Sequence, residues 1–424
     1  MTDATRPAAE IASYDAVGQA DLVRKGDVSA LELALWAIER IEQLNPRLNA
    51  VVTPMFEQAR DAASDLANAP PRPLAGVPYL VKDLVAEVKG VRFTEGSRYL
   101  RGLVSHYDSE LIVRLRKAGL NIAGKSATPE FGLVPTCEST LFGATRNPWD
   151  PALSTSGSSG GSAAAVASGM VPAAHGNDLG GSIRYPASAC GLFGLKPSRA
   201  RIPLGPEYGD AVSGMAVEHA LTRSVRDSAA LLDATAGPAP GDPYPAPAGP
   251  ASFAAQVGAD PGRLRIGYSA KTADGNRGHP DCLAALDDAA NLCAELGHEV
   301  VEADLSALTP ETGAAIGTVM NAATAWIVQY WIRRLGRRPA DDELEPLTWA
   351  YLERGQRVTA AQYLLAVEDL QAFSRRVAGS MASLDLWLTP TLSAPPVPIG
   401  EIVSTTAEPL RRWSAAGRPS PTRE

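Results

Sequence analysis

The chain has 424 residues and carries 47 acidic against 39 basic side chains, which gives a formal net charge of −8 at pH 7. Hydrophobic residues make up 45% of it and charged residues 20%, which suits one large α/β domain or about two to three smaller domains and excludes a wholly disordered chain. The negative charge and the lack of a long Lys/Arg run exclude a general nucleic-acid binder and a protein that coats anionic membranes.

Residues 1–70 are predicted to form an N-terminal helical arm. Gly26 ends one short helix, and Ser29 with Glu32 forms a capping box that begins a second. Pro46 is expected to end this second helix. Its buried face is expected to consist of the apolar residues at helical spacing, Leu31, Ala34, Leu35, Ile38 and Ile41.

From residue 71 to 235, short apolar runs alternate with helical segments. The run 76–84 is followed by a predicted helix over 109–119 and by a strand-like segment over 120–124. Such alternation is typical of a sheet with crossover helices. This segment is also where the residues with chemical potential are concentrated.

Residues 236–262 consist almost entirely of Ala, Pro, Gly and Asp, which predicts a linker or insertion. A second α/β half is predicted over 263–392, followed by an atypical polar tail over 393–424. The elements expected in this half are strands at 264–268, 299–305 and 384–388 and helices at 280–296, 311–335 and 342–380, the last with a capping box at Thr359 and Gln362.

Neither a metal site nor a membrane anchor is predicted. The four cysteines, Cys137, Cys190, Cys282 and Cys293, have no ligand-like spacing, so neither a structural zinc nor a disulfide framework is expected, and Cys190 is expected in the core. The N-terminus has no signal-peptide pattern, and no apolar run is long enough to span a bilayer. We therefore expect a cytoplasmic protein.

The Gly/Ser-rich stretch 154–162 runs directly into a helix of small residues. A glycine-rich loop before a helix N-terminus typically binds an anion. A P-loop is excluded because Ser162 and Ala163 follow Gly161 where Lys and Ser/Thr are required, and the Rossmann spacing is also absent. A flexible linker is the alternative, although the helix that follows at once argues against it.

A second glycine pair, Gly180 and Gly181, stands directly before Ser182. Such a turn can direct several backbone N–H groups at one point, as an oxyanion hole requires. Ser182 is therefore a candidate nucleophile, and a serine nucleophile needs a base.

None of the five histidines lies in a known triad motif, and among them His175 is singled out only because it precedes the glycine turn. Lys82 lies in an apolar strand, where burial would lower its pKa and leave a neutral amine that accepts a proton. An ion pair with Asp83 is the structural alternative for Lys82. Lys196 is a rival base, better explained as a turn residue.

Three segments together resemble the amidase signature family: GVPYLVKD around Lys82, GSSGGSA around Ser158 and GNDLGGSIRYPA around Ser182. Four more segments stand in the family's order over residues 16–392, namely GKSATPEF, FGATRNPW, GLKPSRARIP and LTPT. The resemblance implies an α/β fold with a large mixed β-sheet flanked by helices on both faces.

The resemblance also implies a Ser–cis-Ser–Lys triad that hydrolyses a carboxamide through an acyl-enzyme without a cofactor. Ser182 would be the nucleophile, Lys82 the base, and Ser158 the bridge between them, with a cis peptide bond after Gly157. The oxyanion hole would consist of the backbone N–H groups of Leu179, Gly180, Gly181 and Ser182. Asp178 and Arg184 would support this turn.

Three departures from the family pattern stand out. Ser156 replaces a usual glycine, and Asn177 stands where Thr or Ser is commoner. The HGND form that includes Asn177 resembles members that hydrolyse cyclic and linear aminohexanoate amides. Residues 392–424 lack the family's Asn/Gly-rich continuation, from which we expect a C-terminal truncation that reduces stability and activity.

Two alternative functions stay open. The A subunit of the glutamyl-tRNA amidotransferase shares these motifs but needs partner subunits, and a truncated homologue could be inactive. The FGATRNPW segment and the 236–262 stretch favour a stand-alone amidase. The expected partner is a small-molecule amide, with neither nucleic acid nor membrane, and a homodimer is left open.

Overall fold

The computed structural model describes the chain in four stretches, residues 8–66, 70–270, 278–303 and 310–404. They form two compact units. The first runs to Gly258 and also includes Pro398–Glu401, and the second holds the other residues from Ala259 onwards. This division falls within the Ala/Pro/Gly-rich stretch 236–262, while the domain limits drawn from the sequence stay predictions.

The first unit is built around a mixed β-sheet. Its strands are β1 (Val51–Pro54), β2 (Pro78–Lys82), β3 (Asn121–Ser126), β4 (Glu138–Ser139), β5 (Gly143–Ala144), β6 (Ala173–Asp178), β7 (Phe193–Gly194) and β8 (Val217–Thr222). Six of these form one sheet in the order β1–β3–β2–β6–β8–β7, and β4 pairs with β5. Strand β2 runs parallel to β3 and β6, whereas the other pairings are antiparallel. All residues of β2, β3, β6 and β8 are buried, as expected for central strands covered on both faces.

Helices flank this sheet. The α-helices described in the first unit are α1 (Ala8–Ser13), α2 (Ala16–Lys25), α3 (Ala30–Leu48), α4 (Phe56–Leu66), α5 (Glu110–Ala118), α6 (Gly160–Ala167), α7 (Arg184–Cys190) and α8 (Val225–Thr235). Helices α3, α4 and α6 contact β3, and α8 contacts β8. The predicted α/β fold class, with a mixed sheet between helices and helices at the N-terminus, is confirmed.

Helix α3 has the predicted capping box at Ser29 and Glu32 but differs from the prediction at its end. Pro46 lies inside the helix, which ends at Leu48. A proline removes one helical hydrogen bond and crowds the preceding turn, but here it lies in the last turn. Asn49 then ends the helix in the left-handed conformation (φ 50°) and donates its N–H to the Asn45 carbonyl, 2.8 Å away.

The predicted buried face of α3 is also partly wrong. Ala34, Ile38 and Ile41 are buried, but Leu31 and Leu35 are exposed by 38% and 44%. The buried side is centred instead on Leu33 and Trp36 with their neighbours. Two apolar stripes compete on this helix, and the one that carries the larger side chains packs inward.

The second unit has its own sheet of three parallel strands in the order β10–β9–β11, which differs from a single large sheet. Its elements are β9 (Arg265–Tyr268), α9 (Pro280–Glu295), β10 (Glu299–Glu302), α10 (Pro310–Leu335), α11 (Pro346–Gly355), α12 (Ala360–Ser380) and β11 (Leu386–Leu388). The predicted capping box at Thr359 and Gln362 begins α12. The predicted polar tail lies outside the described residues from 405 onwards.

The ends of β2 and β6 lie at the same edge of the sheet because these strands are parallel neighbours. Lys82 is the last residue of β2, Asp178 is the last residue of β6, and α6 begins next to them at Gly160. Residues from these three elements form the site described below. No helix in the part of the chain that the structure describes is long and apolar enough to cross a membrane.

Candidate active site

Lys82 is fully buried, and its amine contacts two neutral polar groups. Its Nζ lies 2.7 Å from Ser158 Oγ and 2.5 Å from Asn177 Oδ1. Burial lowers the pKa of Lys82 to about 7, although the charges of Glu218 and Asp178 and the Cys137 thiol oppose the shift. A large fraction of this amine is therefore neutral near pH 7, and a neutral amine can accept a proton.

Ser158 is held in a loop that leaves no room for side chains on its neighbours. The peptide bond between Gly157 and Ser158 is cis. A Cβ at Gly157 would lie 2.2 Å from the Thr136 carbonyl oxygen, and one at Gly132 would lie 3.2 Å from Ser158 Oγ. Every residue of 154–162 except Ser156 is deeply buried, so the flexible-linker alternative is wrong.

The turn before Ser182 is organised by the carboxylate of Asp178. This carboxylate accepts hydrogen bonds from the N–H groups of Gly181 (2.7 Å) and Ile183 (3.2 Å) and from Arg184 Nε and Nη2 (both 2.8 Å). Burial would raise the pKa of Asp178, but the hydrogen bonds and charge of Arg184 bring it below its usual value. Asp178 and Arg184 therefore lie where turn-supporting residues are needed.

Gly181 takes a different place from the one expected. Its N–H donates to Asp178, so it is not directed at a ligand. Its φ of +138° and the Tyr185 ring, which lies 2.2 Å from where a Cβ would stand, restrict this position to glycine. The N–H groups of Leu179, Gly180 and Ser182 donate to no acceptor among the described residues, which leaves three of the four expected oxyanion donors available.

The structure joins the two serine segments through the backbone. The N–H of Ser159 donates to the Ser182 carbonyl, 3.2 Å away. Lys82 and Ser158 are in direct contact, whereas the Ser182 hydroxyl makes no hydrogen bond within the described ranges. The last link of the expected relay, between the two serine hydroxyls, is therefore not formed in this arrangement.

The rival assignments for the base find structural explanations. His175 is buried between Lys82, whose N–H it accepts at Nδ1 (3.1 Å), and Glu218, which contacts its Nε2. Lys196 donates to the adjacent Pro197 carbonyl at 2.9 Å, as a turn residue does. The alternative for Lys82, an ion pair with Asp83, is wrong because Asp83 pairs with Lys125.

Asn177 is the site residue that the sequence marked only as a departure from the family pattern. Its contact with Lys82 Nζ follows from its place on β6, two residues after His175 and on the same face of the strand. Two polar side chains at alternating positions of a fully buried strand are unusual, and this pattern could have indicated the contact. Cys190 is buried, as predicted for a core residue.

Comparisons with known proteins agree with this site. The family model described as Amidase matches residues 32–415. A 6-aminohexanoate-cyclic-dimer hydrolase of Paenarthrobacter ureafaciens is 39% identical over 396 residues, which cover 92% of this chain and 80% of that protein. The structure of a 6-aminohexanoate cyclic dimer hydrolase complexed with substrate superposes with a TM-score of 0.90 at 38% identity, covering 96% of this chain and 84% of that one.

A more distant relative belongs to the glutamyl-tRNA(Gln) amidotransferase of Thermus thermophilus, of which it is the A subunit. It is 35% identical over 396 residues, which cover 89% of this chain and 82% of that protein. The similarity to the cyclic-dimer hydrolase is higher in identity at the same aligned length.

Proposed function

The chain belongs to the amidase signature family, and on that basis we propose that it hydrolyses a carboxamide through an acyl-enzyme formed on Ser182. Lys82 acts as the base, and Ser158 relays the proton between Lys82 and Ser182. The observation that carries this proposal is the 2.7 Å contact between the buried, low-pKa amine of Lys82 and Ser158 Oγ. A neutral base at neutral pH is what a serine nucleophile requires.

In the first half-reaction, Ser182 Oγ attacks the carbonyl carbon of the amide and its proton passes to Ser158. Ser158 in turn gives its own proton to Lys82 Nζ. The negative charge that develops on the carbonyl oxygen is stabilised by the free N–H groups of Leu179, Gly180 and Ser182.

The tetrahedral intermediate then collapses and the C–N bond breaks. The relay returns a proton to the leaving amine, which departs as a neutral molecule, and the acyl group stays on Ser182. In the second half-reaction, water gives a proton to the same relay and attacks the ester, which releases the carboxylic acid and restores the Ser182 hydroxyl.

The proposed substrates are amides of short ω-amino acids, linear or cyclic, of which 6-aminohexanoate dimers are the first to test. The 39% identity to a 6-aminohexanoate-cyclic-dimer hydrolase supports this choice. The amidotransferase role is the second candidate, and it would show glutaminase activity only with its partner subunits. The inactive-homologue alternative and the expected C-terminal truncation stay predictions.

The test combines labelling by a fluorophosphonate probe with turnover of linear and cyclic 6-aminohexanoate dimers and of glutamine. We expect labelling and dimer hydrolysis by the wild type, with kcat/KM rising with pH through about 7 as Lys82 loses its proton. Ser182→Ala should lose labelling and at least about 10³-fold in kcat. Ser188→Ala, at an exposed position six residues further on, is the matched control.

Labelling that persists in Ser182→Ala would contradict the proposed nucleophile. A folded protein that neither labels nor hydrolyses any of these amides would support the inactive homologue. Glutamine hydrolysis that appears only with added amidotransferase partner subunits would support the second candidate.

A further inference from the structure

Two side chains of strand β6 contact the two ends of Lys82. His175 Nδ1 accepts the backbone N–H of Lys82 at 3.1 Å, and Asn177 Oδ1 contacts its Nζ at 2.5 Å. The two residues are two positions apart on a strand, so they lie on the same face. Lys82 is therefore fixed both at its backbone and at its reactive atom by one strand.

The orientation of the Asn177 amide is determined by its other contact. Its Nδ2 donates to the Leu84 carbonyl oxygen at 3.2 Å, and this oxygen can only accept. The Oδ1 atom must therefore face Lys82, and an amide oxygen can only accept as well. Asn177 is also buried, so water does not compete for this oxygen.

A neutral amine has two N–H bonds and one lone pair. Because Asn177 Oδ1 takes one N–H, the lone pair is directed away from Asn177, and Ser158 Oγ is the other hydrogen-bond contact of Nζ among the described residues. A serine or threonine hydroxyl at position 177 could donate to the lone pair or accept from an N–H, so it would not fix this direction.

We infer that Asn177 is a positioning residue that turns the lone pair of Lys82 towards Ser158 and so sets the direction of proton transfer. This inference rests on the proposed function, in which Lys82 is the base. Asn177 does not touch the reacting carbonyl and acts through Lys82 alone.

Other groups also act on Lys82 and must stay constant in a test. Glu218 on β8, Asp178 on β6 and the Cys137 thiol before β4 interact with it electrostatically, and His175 and Ser158 contact it directly. Substitutions at position 177 leave all of these side chains in place, so a change in the titration of Lys82 reports on Asn177.

The test compares Asn177→Asp and Asn177→Leu with the same two substitutions at Asn121. Asn121 is a matched control because it is a buried asparagine of the same sheet, on β3, whose Nδ2 donates to the Ala59 carbonyl at 2.9 Å. Two readouts are used, the pH dependence of kcat/KM and the titration of Lys82 by NMR of [13Cε]lysine. The chain has only seven lysines, so the Lys82 signal is assigned from its loss in Lys82→Arg.

Asn177→Asp places a carboxylate against the ammonium, which should raise the titration midpoint of Lys82 and the acid limb of kcat/KM together, by about 1–3 pH units. Asn177→Leu removes an acceptor, so Lys82 should titrate at lower pH than in the wild type. Its kcat should nevertheless fall by about 10–100-fold with KM within about twofold, because the neutral amine is misdirected. Neither Asn121 variant should move the midpoint.

An unchanged Lys82 midpoint in Asn177→Asp would overturn the inference, as would an Asn177→Leu enzyme with wild-type kcat. Loss of kcat that is equal in the Asn121 variants would show a structural effect and overturn it as well. Lys82→Arg separates the two levels of the argument: full activity in that variant overturns the proposed function, whereas an inactive Lys82→Arg with a null result at position 177 overturns this inference alone.

Discussion

Two buried lysines lie side by side in the sheet and have opposite surroundings. Lys82 on β2 and Lys125 on β3 belong to paired parallel strands, in which Val81 is opposite Lys125 and Lys82 is opposite Ser126. Both side chains are completely buried, and burial lowers the pKa of both. Their partners make the difference.

Lys125 is a paired cation. Its Nζ lies 3.5 Å from Asp83 Oδ1, donates to the Ala86 carbonyl at 2.7 Å and stands 4.8 Å from the centre of the Phe93 ring. Lys82 instead contacts a hydroxyl and an amide. Burial therefore produces a base where no carboxylate is within hydrogen-bond reach, and a structural cation where one is.

The alternation of side chains along an extended chain explains why Asp83 pairs with Lys125. Asp83 follows Lys82 directly, and its N–H continues the ladder by donating to the Ser126 carbonyl at 3.0 Å. Consecutive side chains point to opposite faces, so Asp83 shares a face with Lys125 and not with Lys82. One register position thus keeps a carboxylate away from the proposed base.

The largest expected effect separates the two lysines by activity. Lys82→Met should lower kcat by at least about 10³-fold, because it removes the proposed base. Lys125→Met should keep kcat within about tenfold per folded molecule, because Lys125 has no contact with the serines. Steady-state turnover normalised to the folded fraction measures both. Equal losses would break the functional distinction between the two sites.

The second effect separates them by stability. Lys125→Met leaves the buried Asp83 carboxylate without its cation and should lower the free energy of unfolding by about 3–5 kcal/mol. Lys82→Met should cost less at pH 8, where the wild-type amine is mostly neutral. Urea unfolding of the two variants at pH 8 gives the comparison, and a larger loss in Lys82→Met would reverse our assignment of the structural cation.

A third effect is the pH dependence of stability. The pKa of Lys82 is about 7 in the folded state and about 10.4 in an unfolded chain, so the unfolded state binds more protons between these values. The free energy of unfolding should therefore rise with pH across this window, by up to about 1.4 kcal/mol per pH unit from Lys82. Lys82→Met should show a smaller slope than the wild type in urea unfolding at pH 7 to 9. Identical slopes would mean that Lys82 is not neutralised by folding.

The smallest effect concerns the ring beside Lys125. Phe93→Leu removes the cation–π contact and should cost about 1–2 kcal/mol of unfolding free energy, with kcat unchanged within about twofold. Thermal unfolding and turnover of this variant sharpen the view that the surroundings of Lys125 serve stability alone. A large loss of kcat would show that the two lysines are coupled.

The sequence predicted the elements of the site better than the contacts between them. Glycine-rich turns, a lysine in an apolar strand and a serine after two glycines are local patterns, and the structure has each of them. The pairing of Asp83 with Lys125 joins residues 42 positions apart and depends on strand register, which local patterns do not determine. The contact of Asn177 with Lys82 is of the same kind.

The differences in the fold have similar causes. The two apolar stripes of α3 are both regular, and only packing against the rest of the molecule selects the one with Leu33 and Trp36. The N–H of Gly181 faces Asp178 because the carboxylate folds back over its own turn. Sequence spacing indicated which residues form the turn but not which N–H groups stay free.

The turn before Ser182 has a restricted half and a permissive half. Position 181 is closed to every residue but glycine, whereas a Cβ at Gly180 would meet no atom within 4 Å, and its φ is not in the left-handed region. Gly180 is also exposed. New side chains can therefore be introduced one residue from the restricted position without disturbing it, so substrate preference in this scaffold can diversify by point substitution at the rim while the acyl-transfer chemistry is inherited unchanged.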